Sequence, residues 1–215
     1  MLKLYSYWRS SASYRTRIAL HHKSIPYEYV PVHLLKDGGE QHKSDYRALN
    51  PQGYVPCLVD GELVLNQSLA IIEYLDEKFP ATPLLPSDPV LRAKARAMAY
   101  MLACDAHPMN NLKVLGYLKS ALEVTDEQKS AWLKHWICEG LAPLEAMLAS
   151  SPMTGTFCLG ETVTLADICI PPLIYSAERF GCELTPFPTV MRIHHACMAL
   201  PGFMAAHPQQ QPDAV

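Results

Sequence analysis

The chain has 215 residues, which is enough for one large domain or two small ones with a substantial core. Apolar residues make up 49% of it and charged residues 18%, and the formal net charge of −3 argues against a nucleic-acid-binding protein with a strong positive field. No apolar run approaches the roughly 20 residues that a membrane-spanning helix needs, so no membrane contact is expected.

The cysteines and the N-terminus indicate a reducing compartment. Seven cysteines are scattered along the chain, and no two of them form a Cys-x-x-Cys pair. This pattern predicts neither a disulfide framework nor a zinc site, and no other metal site is expected. The first residues lack the apolar segment of a signal peptide and have the pattern of a strand. We therefore expect a cytoplasmic protein.

The first eighty residues alternate between strand and helix patterns. The predicted elements are a strand over Leu2–Ser6, a helix over Ser10–Lys23, a strand over Tyr27–Val32, a short helix or irregular segment over Gln41–Leu49, strands over Cys57–Val59 and Glu62–Leu65, and a helix over Ser68–Phe79. The pair Asp60-Gly61 between the last two strands is typical of a tight hairpin. This order predicts a small sheet with a parallel crossover at one end and a hairpin at the other.

Prolines then mark a change in composition. Pro80, Pro83, Pro86 and Pro89 follow one another closely, and such a segment cannot be helical. The sequence therefore predicts a protein that is α/β and then all-α, with a first domain over 1–80, a linker over 81–87 and a helical domain over 88–215. Helical patterns in that second domain cover about 88–121, 125–149, 164–179 and 187–199.

One helix start in the second domain is explicit in the sequence. Thr164 has the hydroxyl of an N-cap residue, and Asp167 has a carboxylate three positions later. This spacing is typical of a capping box, which stabilises a helix start. We expect these two residues to govern folding and not chemistry.

The junction between the first strand and the first helix carries the most chemical information. Three hydroxyls and two arginines stand there in the run Arg9-Ser10-Ser11-Ala12-Ser13-Tyr14-Arg15. Unpaired N–H groups and the positive end of the helix dipole favour an anion at this point, and they help a small thiol to ionise. Because position 12 is alanine, the chain has no obvious nucleophile here. We expect a bound cofactor to supply it.

Short motifs along the whole chain resemble, in their order and spacing, those of the glutathione transferases and of their zeta class in particular. They are Ser10-Ser11-Ala12-Ser13-Tyr14-Arg15 with Arg17-Ile18-Ala19-Leu20, Leu49-Asn50-Pro51 through Val55-Pro56, Gln67 through Leu75, His107-Pro108 with Asn111-Leu112, Thr164 through Asp167, and Ala177 through Phe180 leading to Leu184-Thr185-Pro186. The resemblance implies a thioredoxin-like N-terminal domain, a helical C-terminal domain, glutathione as cofactor and a homodimer. The class commonly has cysteine where this chain has Ala12, and tryptophan where it has Tyr14.

The resemblance also implies roles for individual residues. Ser10 is expected to be the main catalytic hydroxyl and Ser11 the second, each donating to the sulfur of glutathione. Glutathione is expected to contact residues of both domains, namely Ser10, Ser11, Ala12, Ser13, Tyr14, Arg15, Gln41, Val55, Pro56, Gln67, Ser68, His107 and Asn111. The Val55-Pro56 bond is cis in related proteins. Arg9 and Arg179 are expected to bind the carboxylates of a substrate.

Simpler interpretations of the same residues stay open at this point. Either serine can be a plain N-cap, and so can Ser68 at the next helix start. A proline such as Pro56 more often begins an edge strand with a trans bond. A histidine such as His107 is more often structural, and an arginine more often pairs with a surface carboxylate.

The activity that the resemblance implies is the glutathione-dependent isomerisation of a diketo acid, 4-maleylacetoacetate, to 4-fumarylacetoacetate in tyrosine and phenylalanine breakdown. Reversible addition of a thiolate to the double bond replaces one difficult rotation by easy steps. Two enzyme activities compete with this one, namely maleylpyruvate isomerisation and glutathione transfer to small α-halo acids. A non-catalytic interaction module is a further alternative from a different class.

Overall fold

The computed structural model describes the whole chain, Met1–Val215, as two compact units. The first contains Met1–Pro83 together with Ala199–Val215, and the second contains Leu84–Met198. The predicted helical domain over 88–215 was therefore wrong at its C-terminal end. Residues 199–215 lie with the first unit because Phe203 is completely buried there, with its ring 5.8 Å from that of His22.

The first unit contains a sheet of four strands. These are β1 (Leu2–Ser6), β2 (Tyr27–Pro31), β3 (Cys57–Asp60) and β4 (Leu63–Asn66), in the spatial order β2-β1-β3-β4. β1 pairs in parallel with β2, whereas β3 is antiparallel to both β1 and β4. The predicted crossover and hairpin are confirmed. The hairpin turn is Gly61-Glu62, one residue later than expected, and Gly61 adopts a φ of 61° there.

Four helices complete the first unit. They are α1 (Ser11–His22), α2 (Ser44–Leu49), α3 (Ser68–Lys78) and α10 (Pro201–Ala205). One core cluster joins α1 and α3 to the sheet, and it contains Leu4, Leu20, Leu58, Ile71 and Leu75. α10 approaches the end of α1 closely, because a Cβ atom added to Gly202 would lie 2.8 Å from the Cα atom of His22. This packing holds the C-terminal end of α1 against α10.

The second unit is entirely helical. Its helices are α4 (Pro89–Tyr100), α5 (His107–Met109), α6 (Leu112–Ala121), α7 (Asp126–Ser150), α8 (Leu165–Arg179) and α9 (Pro188–Met198), with a π-helical segment over Met101–Ala106. The helical pattern predicted over about 88–121 is confirmed, and the structure divides it into α4, the π-helical segment, α5 and α6. Pro108 has no N–H to continue the hydrogen-bond ladder, and the Asn111 side chain accepts from the N–H of Val114 at 3.0 Å, which starts a new helix. No helix in the chain combines the length and the apolar character needed to cross a bilayer.

The predicted start of α8 is confirmed. Asp167 is 0% exposed, and its carboxylate accepts from the backbone N–H and the hydroxyl of Thr164 at 2.8 Å each. Its other oxygen accepts from the N–H of Cys158 at 2.8 Å. Burial raises the pKa of Asp167, although these N–H donors oppose the rise. The carboxylate therefore joins a loop to the helix start inside the core.

Candidate functional site

The turn between β1 and α1 presents hydroxyls at a helix N-terminus. Ser10 is the N-cap of α1, and its Oγ accepts from the N–H of Ser13 at 3.2 Å. Ser10 and Ser11 are both partly exposed, and the first turn contains no acidic residue to offset the helix dipole. The Ser10 hydroxyl uses a lone pair in the cap, so its hydrogen can still be donated to an anion.

The side chains of Ser13, Tyr14 and Arg15, which follow Ala12 in α1, face the interior of the unit. Ser13 and Arg15 are buried, and Tyr14 is only 1% exposed, with its ring 6.1 Å from that of His207. Both side chains belong to the core, and the expected contacts of Ser13 and Tyr14 with a bound cofactor stay predictions. The guanidinium of Arg15 donates to the hydroxyl of Ser68 at 3.4 Å, which links α1 to the start of α3.

The loop before β3 presents free backbone groups. The Val55-Pro56 peptide bond is cis, as the resemblance implied. The N–H and C=O groups of Val55 form no hydrogen bond within the chain. A peptide-like ligand could pair with both groups as a strand does.

Asn50 organises this loop, a role that the sequence analysis missed. It is completely buried, and its side-chain amide donates to the C=O of Tyr54 at 2.8 Å. Its side-chain oxygen accepts from the N–H of Gln52 at 3.1 Å and from the amide of Asn66 at 3.2 Å. The position of Asn50 before Pro51 was visible as a turn signal, but its burial was not.

The start of α3 is a second helix N-terminus in this unit, and its first turn has no side-chain cap. Gln67 precedes α3 with a φ of 67°. The amide of Gln67 donates to the side-chain oxygen of Gln52 at 2.9 Å. Uncapped N–H groups together with the Ser68 hydroxyl suit a carboxylate. The alternative of a plain serine N-cap does not hold, because Ser68 lies inside the helix.

Gln41 and Arg9 also belong to the first unit. Gln41 is buried, its amide nitrogen donates to the C=O of Leu34 at 3.2 Å, and its side-chain oxygen is buried without a partner. The guanidinium of Arg9 lies 5.0 Å from the ring centre of Trp8 and donates to the hydroxyl of Tyr7 at 3.5 Å. Arg9 is partly exposed, and it places a cation next to Ser10 in the chain.

Three predicted site residues lie in the second unit. His107 begins α5 and is partly exposed, and Asn111 is the N-cap of α6. Arg179 ends α8, where its exposed guanidinium lies 4.8 Å from the ring centre of Phe180. The cap uses the side-chain oxygen of Asn111 and leaves its amide nitrogen as a donor. The ligand contacts of these three residues stay predictions.

Arg17 is a further residue whose importance the sequence did not reveal. It is completely buried, and it donates to Ser6 Oγ at 3.1 Å, to the C=O of Tyr7 at 3.2 Å and to the C=O of Trp8 at 2.9 Å. Burial lowers the pKa of Arg17, and neighbouring tyrosines oppose this effect. The guanidinium therefore holds the backbone that leads to Ser10.

The first unit therefore presents two helix N-termini, those of α1 and α3, together with the Ser10 hydroxyl and the unpaired N–H and C=O groups of Val55. These groups suit a small peptide that carries a carboxylate and a thiol, and the field of α1 with the Ser10 hydroxyl would stabilise the thiol as its thiolate. No side chain of the unit is placed at this turn as a nucleophile, since position 12 is alanine.

Comparisons with known proteins agree with this chemistry. The family model described as "Glutathione S-transferase, N-terminal domain" matches residues 4–83. A protein of Vibrio cholerae named probable maleylacetoacetate isomerase is 48% identical over 213 residues, which is 99% of this chain and 98% of the relative. A Ralstonia protein named maleylpyruvate isomerase is 45% identical, and the alignment covers 99% of this chain and 100% of the relative.

Solved structures give the same result. The holo structure of a maleylpyruvate isomerase, described as a bacterial zeta-class glutathione S-transferase, matches with a TM-score of 0.96 and 45% identity over 99% of this chain and 100% of its own. A maleylacetoacetate isomerase from Methylobacterium extorquens, solved with bound malonate and glutathione, matches with a TM-score of 0.95 and 42% identity over 99% of each chain.

Proposed function

We propose, since the chain belongs to the zeta class of the glutathione transferases, that it isomerises 4-maleylacetoacetate to 4-fumarylacetoacetate with glutathione as cofactor. The reaction is a step in tyrosine and phenylalanine breakdown. We place the enzyme in the cytoplasm as a homodimer, as the family resemblance implies. Full-length similarity to proteins named maleylacetoacetate isomerase supports the assignment, at 45–48% identity.

The observation that carries the proposal is the turn at Ser10, where a hydroxyl stands at an open helix N-terminus. The neighbouring residues fit glutathione. The free N–H and C=O of Val55 suit its cysteinyl backbone, and the uncapped start of α3 suits its γ-glutamyl carboxylate. The unpartnered side-chain oxygen of Gln41 can accept one of its N–H groups.

Bound glutathione supplies a thiolate that adds reversibly to the activated double bond, so that rotation about a single bond becomes possible. The chain itself has three tasks. The hydroxyls of Ser10 and Ser11 donate hydrogen bonds that keep the sulfur ionised. The N–H groups at the start of α1 add a positive field at the same point. Arg9 gives a substrate carboxylate a cation beside these serines.

A second candidate activity is the isomerisation of maleylpyruvate. It is supported by the TM-score of 0.96 to a maleylpyruvate isomerase and by 45% identity to a protein of that name. Both substrates carry carboxylates and a cis double bond next to a carbonyl. The same thiolate therefore serves both reactions.

The test is an isomerase assay with each substrate, with and without glutathione, in which the reaction is monitored by its change in absorbance. We expect turnover of maleylacetoacetate only when glutathione is present, and a kcat/KM above that for maleylpyruvate. The reverse order of the two kcat/KM values would transfer the assignment to the second activity. An enzyme that binds glutathione and converts neither substrate would refute both.

A further inference from the structure

The residues near the C-terminus contact the loop that carries the proposed thiolate site. The carboxylate of Asp213 accepts from the backbone N–H of Trp8 at 3.1 Å and from the hydroxyl of Tyr29 at 2.6 Å. Trp8 is two residues before Ser10, and Tyr29 lies in β2. One carboxylate therefore joins the end of the chain, the sheet and the approach to Ser10.

The peptide group between Tyr7 and Trp8 is held from both sides. Its N–H donates to the carboxylate of Asp213, and its C=O accepts from the buried guanidinium of Arg17 at 3.2 Å and from the N–H of Ser10 at 3.0 Å. Hydrogen bonds to charged groups are shorter and stronger than neutral ones. Opposite charges on the two ends of one peptide group fix its orientation.

The C-terminal segment is itself firmly attached to the first unit. The guanidinium of Arg17 donates to the C=O of Ala206 at 3.2 Å, so one buried cation holds both the Ser10 loop and this segment. The amide of Gln211 donates to the C=O groups of Ala205 and His207 at 3.0 and 2.9 Å. Ala214 packs against the apolar cluster that contains Trp8 and Val55. Asp213 is thus placed by a rigid support.

We propose that Asp213 is a positioning residue for the thiolate site, acting through the backbone of Trp8 on the orientation of Ser10. This inference rests on the proposed function, because it concerns the same sulfur. Hydrogen-bond donors stabilise a thiolate only when they are held in the right direction, and small displacements of such groups lower rates strongly. Without the carboxylate, the N–H of Trp8 loses its acceptor and the turn before Ser10 is held from one side only.

The experiment compares Asp213→Ala with Asp213→Asn and Tyr29→Phe in the full-length protein. The pKa of the bound glutathione thiol is measured from the ultraviolet absorbance of the thiolate. Asp213→Ala should raise this pKa by about one unit and lower kcat near neutral pH about fivefold, with a smaller change in glutathione affinity. Asp213→Asn should keep the thiol pKa close to that of the wild type, because the asparagine side-chain oxygen can still accept from the N–H of Trp8. Tyr29→Phe should raise the thiol pKa by less than Asp213→Ala does, because Asp213 keeps its bond to Trp8.

Tyr74→Phe is the matched control. The hydroxyl of Tyr74 also donates to a carboxylate at 2.6 Å, that of Asp60, but far along the chain from the Ser10 loop. Tyr74→Phe should therefore leave the pKa of the bound glutathione thiol unchanged. An unchanged thiol pKa in Asp213→Ala, or an equal shift in Tyr74→Phe, would overturn the proposal. A wild-type protein that does not ionise bound glutathione near neutral pH would instead overturn the proposed function.

Discussion

Ser10 combines two hydrogen-bonding roles at the start of α1, and these roles can be separated by substitution. Its oxygen caps the helix by accepting from Ser13, and its hydrogen is available to the sulfur of glutathione. Ser10→Ala should lose about 1 kcal/mol of stability through the missing cap, and it should also raise the pKa of the bound thiol. Denaturant unfolding and ultraviolet titration measure the two effects.

Ser10→Asp and Ser11→Ala are the controls for this prediction. Aspartate is an N-cap as good as serine, but its carboxylate cannot donate to a thiolate. Ser10→Asp should therefore keep the stability and still raise the thiol pKa. Ser11→Ala should keep the N-cap, which Ser10 makes, and should raise the thiol pKa less. A wild-type thiol pKa in Ser10→Asp would contradict the role of the hydroxyl.

Gln67 gives a second prediction for a single residue. A φ of 67° is unfavourable for any residue with a side chain, and glycine adopts it without strain. Gln67→Gly should stabilise the protein by about 0.5–1 kcal/mol, although it loses an exposed bond to Gln52. If the Gln67 amide contacts the γ-glutamyl end of glutathione, as we propose, the KM for glutathione should also rise several-fold. Gln67→Ala, which keeps the strain, should raise KM without any gain in melting temperature.

The residues of the site were predictable to different degrees. The serines at the helix start stand out because hydroxyls at that position have a clear physical role. The burial of Ser13 and Tyr14 was not predictable from the motif alone, since it depends on which face of α1 meets α10 and the sheet. Arg17 and Asp213 act through contacts between segments far apart in the chain, with Ala206 and Trp8 respectively. No local pattern carries that information.

Among the elements, α8 depends most on a single buried carboxylate. Asp167→Ala would leave the N–H groups of Cys158 and Thr164 without acceptors in the core. We expect a loss of about 2–4 kcal/mol in unfolding free energy, measured in urea, with an unchanged thiol pKa in the folded protein. Thr125→Ala is the matched control, because it breaks an exposed capping box at α7 and should lose about 1 kcal/mol or less. Equal losses at the two boxes would contradict this account.

Short elements with strong local signals were predictable, and so was the helical character of residues 88–121, but the division of this range into separate helices was not. Apolar spacing continues through Pro108, so the pattern alone does not show where one helix ends and the next begins. The break arises where the proline and the capping side chain of Asn111 act together. Hydrophobic spacing reports which face is buried, but it does not register a local interruption of the hydrogen-bond ladder.

At the scale of the molecule, the C-terminal segment contributes a large part of the core around α1. Phe203 is completely buried, whereas the next residue, Met204, is 56% exposed. Phe203→Ala should destabilise the protein by about 3–5 kcal/mol, measured by denaturant unfolding. Met204→Ala should change the stability by less than about 0.5 kcal/mol. Similar losses for the two variants would show that the segment does not pack as described.

The two-part organisation was predictable because the prolines after residue 79 interrupt every regular pattern. The return of residues 199–215 to the first unit was not. A contact between segments so far apart in the chain leaves no periodic trace in either segment, and it becomes visible only in the structure, where Phe203 packs on His22 and Asp213 accepts from Trp8.

This return has a consequence for how the protein is made. The first unit is synthesised in two parts, because its sheet and α1 are made before the whole helical unit, whereas α10 and Asp213 are made after it. Until residues 199–215 have been added, α1 lacks its contact with Phe203, and the backbone of Trp8 lacks the Asp213 carboxylate. A chain cut before residue 199 should therefore expose the apolar surface that Phe203 covers, and should bind an apolar dye more strongly than the uncut chain.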